Sequence, residues 1–122
     1  MFEMPYAHKV LIIDDEYDIC FLLGQMLHRR DYEVIFANTL TDGLARLILI
    51  KPSLLFLDVQ LPDGSGLDVL NKIRTENPKV KIVVMSANDG RNERKRAIEN
   101  GADLFISKPI NKEAINKTLS II

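Results

Sequence analysis

The sequence predicts an α/β protein, a single domain built on a five-stranded, doubly wound parallel sheet. Short apolar runs that end in polar or charged residues recur along the chain. Each is followed by a stretch whose apolar residues fall at helical spacing. This strand–helix alternation repeats five times. It argues for parallel strands with right-handed crossovers and helices on both faces. A chain of 122 residues, 47% of them hydrophobic, supplies one core.

The clearest strand is residues 54–58. Leu54, Leu55, Phe56 and Leu57 run into Asp58, and Pro62-Asp63-Gly64 marks a loop soon after. An apolar run bounded by turn signals reads as a strand buried on both faces. Asp58 then lies at the carboxyl edge of the sheet, where open α/β sheets bind ligands. Burying an unpaired carboxylate is costly, so a charge here points to chemistry as well as to turn capping.

The first strand, residues 9–13, ends in Asp14-Asp15-Glu16. Favourable charges at a helix N-terminus account for one or two of these acids, not for a pair at the strand's end. Ile19, Leu22, Leu23, Met26 and Leu27 set the inner face of the first helix, which closes near Arg29 and Arg30. Cys20 reads as packing and His28 as a surface or last-turn residue. Residues 33–37 form the second strand. Thr39-Leu40-Thr41-Asp42 offers a capping box, and Leu44, Leu47 and Ile48 face inward from the second helix, which ends at Pro52. Leu49 and Ile50 either pack under the loop at Lys51 or leave an apolar patch.

Ser65 caps a third helix with Leu67, Leu70 and Ile73 inward, ending at Asn77-Pro78. Residues 80–85 form the fourth strand and deliver Ser86 to the same edge. The fourth helix, residues 91–100, carries only Ala97 and Ile98 as apolar residues. It buries less than its siblings and is expected to be weakly anchored. Gly101 is its C′ residue. Residues 104–107 form the fifth strand and end in Lys108-Pro109. Asn111 caps a last helix with Ile115, Thr118, Leu119 and Ile122 inward.

Composition narrows the function. A net charge of −1 and a pI of about 6.1 give no broad field for nucleic acid or anionic lipid. One cysteine allows no internal disulfide, so a cytoplasmic, reducing setting is expected. Residues 1–8 lack the apolar core of a signal peptide and read as an N-terminal extension of a single 1–122 domain with no output domain. No apolar run approaches the ~20 residues that span a bilayer.

The five strand ends gather Asp14, Asp15, Asp58, Ser86 and Lys108. Carboxylates held close raise one another's pKa, and a hard divalent cation relieves the repulsion. With the charge screened, Asp58 can attack phosphorus and become an acyl phosphate. Lys108 can pair with phosphoryl oxygens and Ser86 can donate a hydrogen bond to them.

These residues resemble, in order and at the right strand ends, the response regulator receiver domain. They are Asp14-Asp15, Asp58 before Leu61-Pro62-Asp63-Gly64, Ser86-Ala87 and Lys108-Pro109. The resemblance implies a flavodoxin-like sheet of order 2-1-3-4-5. It implies a protein that is the substrate of a phosphorylation and a switch, not an enzyme, with Asp58 phosphorylated by a histidine kinase or a histidine phosphotransfer protein. Mg2+ (or Mn2+) would be held by Asp15, Asp58 and the backbone carbonyl of Gln60, with Asp14 acting through water. Ser86 would be the switch hydroxyl and Phe105 the switch aromatic, turning inward as Ser86 moves. Lys108 and Pro109 would be joined by a cis peptide. The fourth helix, fifth strand and last helix would address an output protein or a missing effector domain, with no direct contact to nucleic acid or membrane. Leu104 stands where the dimerising transcription factors of the family carry a second Asp after Gly101-Ala102-Asp103, so one inter-subunit ion pair is missing.

Rival readings fit less of the chain. An aspartyl-nucleophile, Mg2+-dependent phosphatase of the haloacid-dehalogenase type needs an acid two residues after Asp58, where Gln60 stands. A flavodoxin-like cofactor binder needs a first loop that cradles phosphate, which Asp14-Asp15-Glu16 would repel. A receiver-like interaction module that takes no phosphate would be expected to lack one of the key residues.

Overall fold

The computed structural model describes residues 8–88 and 90–120. The N-terminal extension (except His8), Asp89, and Ile122, expected to face inward, lie outside them. The elements are β1 (His8–Ile13), α1 (Tyr17–His28), β2 (Tyr32–Ala37), α2 (Leu40–Ile50), β3 (Leu54–Asp58), β4 (Gln60–Leu61), β5 (Gly64–Ser65), α3 (Gly66–Glu76), β6 (Lys81–Ser86), α4 (Arg91–Glu99), β7 (Leu104–Ser107) and α5 (Lys112–Ser120). The short β4–β5 hairpin was not expected from sequence. It makes the expected fourth and fifth strands β6 and β7.

The main sheet is all parallel, in the order β2-β1-β3-β6-β7. This is the predicted 2-1-3-4-5 arrangement. The winding direction reverses between β1 and β3, the crevice where doubly wound sheets place ligands. Register then decides which strand tips meet. Ile13 pairs with Leu57, Asp58 with Met85, and Ser86 with Ser107.

Alternate strand residues feed two cores, one on each face. Val10, Ile12, Leu54, Phe56, Val83 and Met85 pack with Cys20, Leu23 and Leu27 of α1 and Ile115 of α5. Leu11, Ile13, Leu55, Leu57, Ile82 and Val84 pack with Leu47 of α2, Leu70 and Ile73 of α3 and Ala97 of α4. Each fully buried large side chain contributes about 1.5–3 kcal/mol relative to exposure, so the central strands dominate the stabilisation.

Two helical stripes are narrower than the sequence predicts. In α1, Cys20, Leu23 and Leu27 make the buried stripe, and Leu22, rotated off it by one residue, is 44% exposed. In α2, Leu47 is buried but Ile48 is 71% exposed and Leu49 82%. The lower ends of α2 and α3 leave a cleft of about 760 Å3, and Ile48 lines it instead of being covered. Leu49 therefore takes the exposed-patch alternative.

Helix ends follow local chemistry. Thr39 caps α2 by accepting from the Asp42 N–H, Ser65 caps α3 by accepting from the Leu67 N–H, and Asn111 accepts from the Ala114 N–H at the start of α5. Gly101 follows α4 with φ of 113°, a conformation L side chains rarely adopt, and an added Cβ would also collide with Arg74.

Candidate functional site

The carboxyl edge carries a small cavity of about 200 Å3 lined by Asp15, Glu16, Asp58, Gln60, Ser86, Ala87 and Lys108. Backbone hydrogen bonds fix its walls. The Asp14 N–H donates to the Ala37 carbonyl, the Val59 N–H to the Met85 carbonyl, and the Lys108 N–H to the Ser86 carbonyl. The Lys108–Pro109 peptide is cis.

Asp14 and Asp58 are buried, at 0% and 3% exposure, whereas Asp15 and Glu16 are exposed. The Lys108 ammonium lies 2.9 Å from Asp14 Oδ2, 2.7 Å from Glu16 Oε1 and 3.3 Å from Asp58 Oδ2. Burial opposes its charge, but the carboxylates of Glu16, Asp14 and Asp58 outweigh burial and hold the lysine above its usual range. Asp58 is pushed up to about 7, first by burial and then by the Asp14 charge. Lys108 and the Gln60 backbone pull it down without cancelling that push.

The donor set suits a hard cation. Asp14, Asp15, Glu16 and Asp58 each bring one carboxylate oxygen within 4.8 Å of the others. Asp14 Oδ1 accepts from the Glu16 N–H, whereas the buried Oδ2 accepts no hydrogen bond. The Lys108 ammonium 2.9 Å from Oδ2 pairs with it by charge. A buried carboxylate oxygen left so is under-coordinated, and an all-oxygen cluster of this kind matches Mg2+ and its relatives.

The remaining pieces come from α4. Ser86 is buried at 3% exposure and its hydroxyl donates to Glu93 Oε1 at 2.5 Å, while its oxygen accepts from the Asn88 N–H at 3.0 Å. Phe105 is already buried at 3% exposure. The guanidinium of Arg94 sits 4.8 Å from its ring centroid and donates to its carbonyl at 3.3 Å. The expected inward turn of Phe105 therefore has no outward starting point here, because Arg94 covers the ring in place. The expectation for α4 holds for apolar contacts, with Ala97 its one buried residue, but polar tethers supplement them. Glu93 bonds to Ser86, Arg94 to Phe105, and Arg96 to Asp68 at 2.6 Å.

Of the sequence-predicted residues, Asp15, Asp58, Gln60, Ser86 and Lys108 thus line one cavity, and Asp14 is buried beside it against Lys108. Phe105 stands outside it, under α4. Leu104 is half-buried, and Asp103 binds Arg74 and the Ile82 N–H within the chain. Sequence reasoning missed Glu16 as the Lys108 partner and Glu93 as the Ser86 partner. The position of Glu16 beside two acids was a usable signal. For Glu93, seven residues from Ser86 across a loop, no local pattern gave one.

Comparisons with known proteins bear on the family and the fold. The family model described as the response regulator receiver domain matches residues 10–120. The alkaline phosphatase synthesis transcriptional regulatory protein PhoP of Bacillus subtilis is 32% identical over 114 residues, covering 93% of this chain and 48% of that regulator. This chain therefore spans about half the length of such a relative. A CheY-like receiver domain protein from Methanospirillum hungatei superposes with a TM-score of 0.86 at 28% identity, covering 93% of this chain and 91% of that one. A response regulator from Burkholderia pseudomallei, solved with a phosphorylated aspartic acid, calcium ion and citrate, gives a TM-score of 0.84 at 28% identity, covering 92% of this chain and 66% of that one. The family match runs from the first strand to the last helix, over every strand tip that builds the cavity, and the chain belongs to the response regulator receiver domain family.

Proposed function

We propose that residues 1–122 act as one phosphoacceptor domain of a two-component system, with Asp58 as the phosphorylated residue. The observation that carries this reading is the buried Asp58 carboxylate, 3.3 Å from Lys108 in a cavity open to a small ligand. In the transfer, a carboxylate oxygen of Asp58 attacks phosphorus. The P–N bond of a phosphohistidine breaks, the imidazole leaves with the electron pair, and an acyl phosphate remains. Lys108 balances charge on the phosphoryl oxygens, and the Ser86 hydroxyl donates to one of them.

Asp15, Asp58 and the Gln60 carbonyl, with Asp14 through water, would hold a Mg2+ or Mn2+ ion. When bound, that cation supplies charge neutralisation for the carboxylates and the incoming phosphoryl group. The donor is a histidine kinase or a histidine phosphotransfer protein, and the domain itself is the substrate. The output runs through α4, β7 and α5 to a partner protein or an effector domain, in the cytoplasm. The Burkholderia relative, solved with a phosphorylated aspartic acid, calcium ion and citrate, supports this reading.

The test is intact mass after incubation with acetyl phosphate and Mg2+. A gain of one phosphoryl group that hydroxylamine removes, and that Asp58→Asn abolishes, is expected. No gain in the wild-type protein would leave an interaction module that takes no phosphate.

A further inference from the structure

Ser86 has one hydroxyl proton, and in this structure that proton is committed. It is donated to Glu93 Oε1 at 2.5 Å, from the strand tip of β6 to the first turn of α4. The Asn88 N–H, donating to the same oxygen at 3.0 Å, fixes its direction. In this contact the Ser86 hydroxyl is the donor and the Glu93 carboxylate oxygen the acceptor. A phosphoryl group on Asp58 would need that same proton. Ser86 lines the Asp58 cavity, so it is within the reach of both claimants.

We propose that Glu93 is the latch of the resting state. It competes with the phosphoryl group for the Ser86 hydroxyl and so sets how much of the binding at Asp58 is spent on releasing α4. This inference rests on the phosphoacceptor reading and adds a positioning residue to it. Glu93 bonds to Ser86, whereas Lys108 is engaged by Asp14, Glu16 and Asp58, so Glu93 acts through Ser86. Its neighbour Arg94 holds Phe105, so two consecutive residues of α4 grip two of the expected switch positions. Because Ala97 is the one buried residue of α4, these polar contacts carry much of its attachment. Losing the Ser86 contact therefore loosens the first turn of α4 at the moment the Asp58 site fills. The same competition lowers the apparent affinity of the site by the fraction of molecules with the latch open.

The experiment titrates beryllofluoride, a phosphoryl mimic, in the presence of Mg2+ into the wild-type protein and into Glu93→Ala, Glu93→Gln, Ser86→Ala and the Ser86→Ala/Glu93→Ala pair. Amide NMR follows binding, and hydrogen exchange of α4 is read in the unliganded proteins. Glu93→Ala is expected to bind about three- to tenfold tighter, the range of one hydrogen bond, with faster exchange in α4. Glu93→Gln keeps an acceptor of similar shape and falls between. In the Ser86→Ala background the Glu93→Ala gain disappears, since the two groups no longer compete. Affinity equal to wild type, or the same gain without the Ser86 hydroxyl, overturns the latch. A wild-type protein that takes up no beryllofluoride defeats the phosphoacceptor reading and the latch together. Uptake by the wild type with an unchanged Glu93→Ala defeats the latch alone.

Discussion

In the cation-free protein, burial and the Asp14 charge hold the Asp58 carboxyl near 7, well above an ordinary carboxylate. The raised value has a definite sign in stability. Below about pH 4 the group is protonated folded and unfolded, and its contribution is fully present. Between there and about 7 the unfolded chain releases the proton while the folded one keeps it, so stability falls as pH rises. Asp58→Asn is therefore expected to be more stable than wild type at pH 8 without divalent cation, by on the order of 1–3 kcal/mol. The gain should shrink toward pH 4. Urea denaturation at both pH values checks this, and a gain independent of pH would refute the assignment. Cys20 is shifted in the same direction, with a different consequence. Burial first, and Asp14 second, push its thiol up to about 11, so it stays protonated and packs against α1's neighbours as the sequence predicts.

At the scale of elements, the loop between β3 and α3 both shapes the site and caps a helix. Asp63 accepts from the N–H groups of Leu40 and Thr41 and from the Thr41 hydroxyl, at 2.7 to 2.8 Å, at the start of α2. The Thr41 and Leu40 bonds lower its carboxyl to about 2. That stabilisation is present above the unfolded value near 4 and is lost as pH falls through about 2. Asp63→Ala is thus expected to lower the thermal midpoint at pH 7, with the difference from wild type closing in acid. Thermal melts across that window measure it. Gly66, the first residue of α3, has a different role where that loop ends, since a Cβ there would run into the Asp58 carbonyl oxygen and Leu57. Gly66→Ala should fold less stably and disturb phosphoryl uptake at Asp58, read by intact mass. The Thr39 cap was legible because its partner lies three residues away. The Asp63 cap was not, because it joins residues more than twenty apart. The five strands of the main sheet were legible, to within one residue at each expected start, and the β4–β5 hairpin was not.

For the molecule as a whole, the sheet edge concentrates negative charge that a bound cation would neutralise. Mg2+ should raise the thermal midpoint in a concentration-dependent way, and the rise should vanish in Asp58→Asn. At a hundredfold excess over the dissociation constant the stabilisation is about 2.7 kcal/mol. Differential scanning calorimetry with Mg2+ and then a chelator decides it, and equal melting of wild type with and without Mg2+ would count against the cation site. The sequence by itself determined the alternation of strands and helices, the apolar runs of the buried strands and the acids, hydroxyl and amine at the strand tips. Burial of a face at period 2 or 3.6 is a local demand that residue spacing records. Only the tertiary structure decided that Glu16 reaches Lys108 across 92 residues, that Glu93 holds Ser86, that Arg94 covers Phe105, and that Ile48 lines a cleft. Those outcomes depend on which tips adjoin and how each helix is rotated on the sheet. Long-range packing sets both, and no spacing along the chain encodes them.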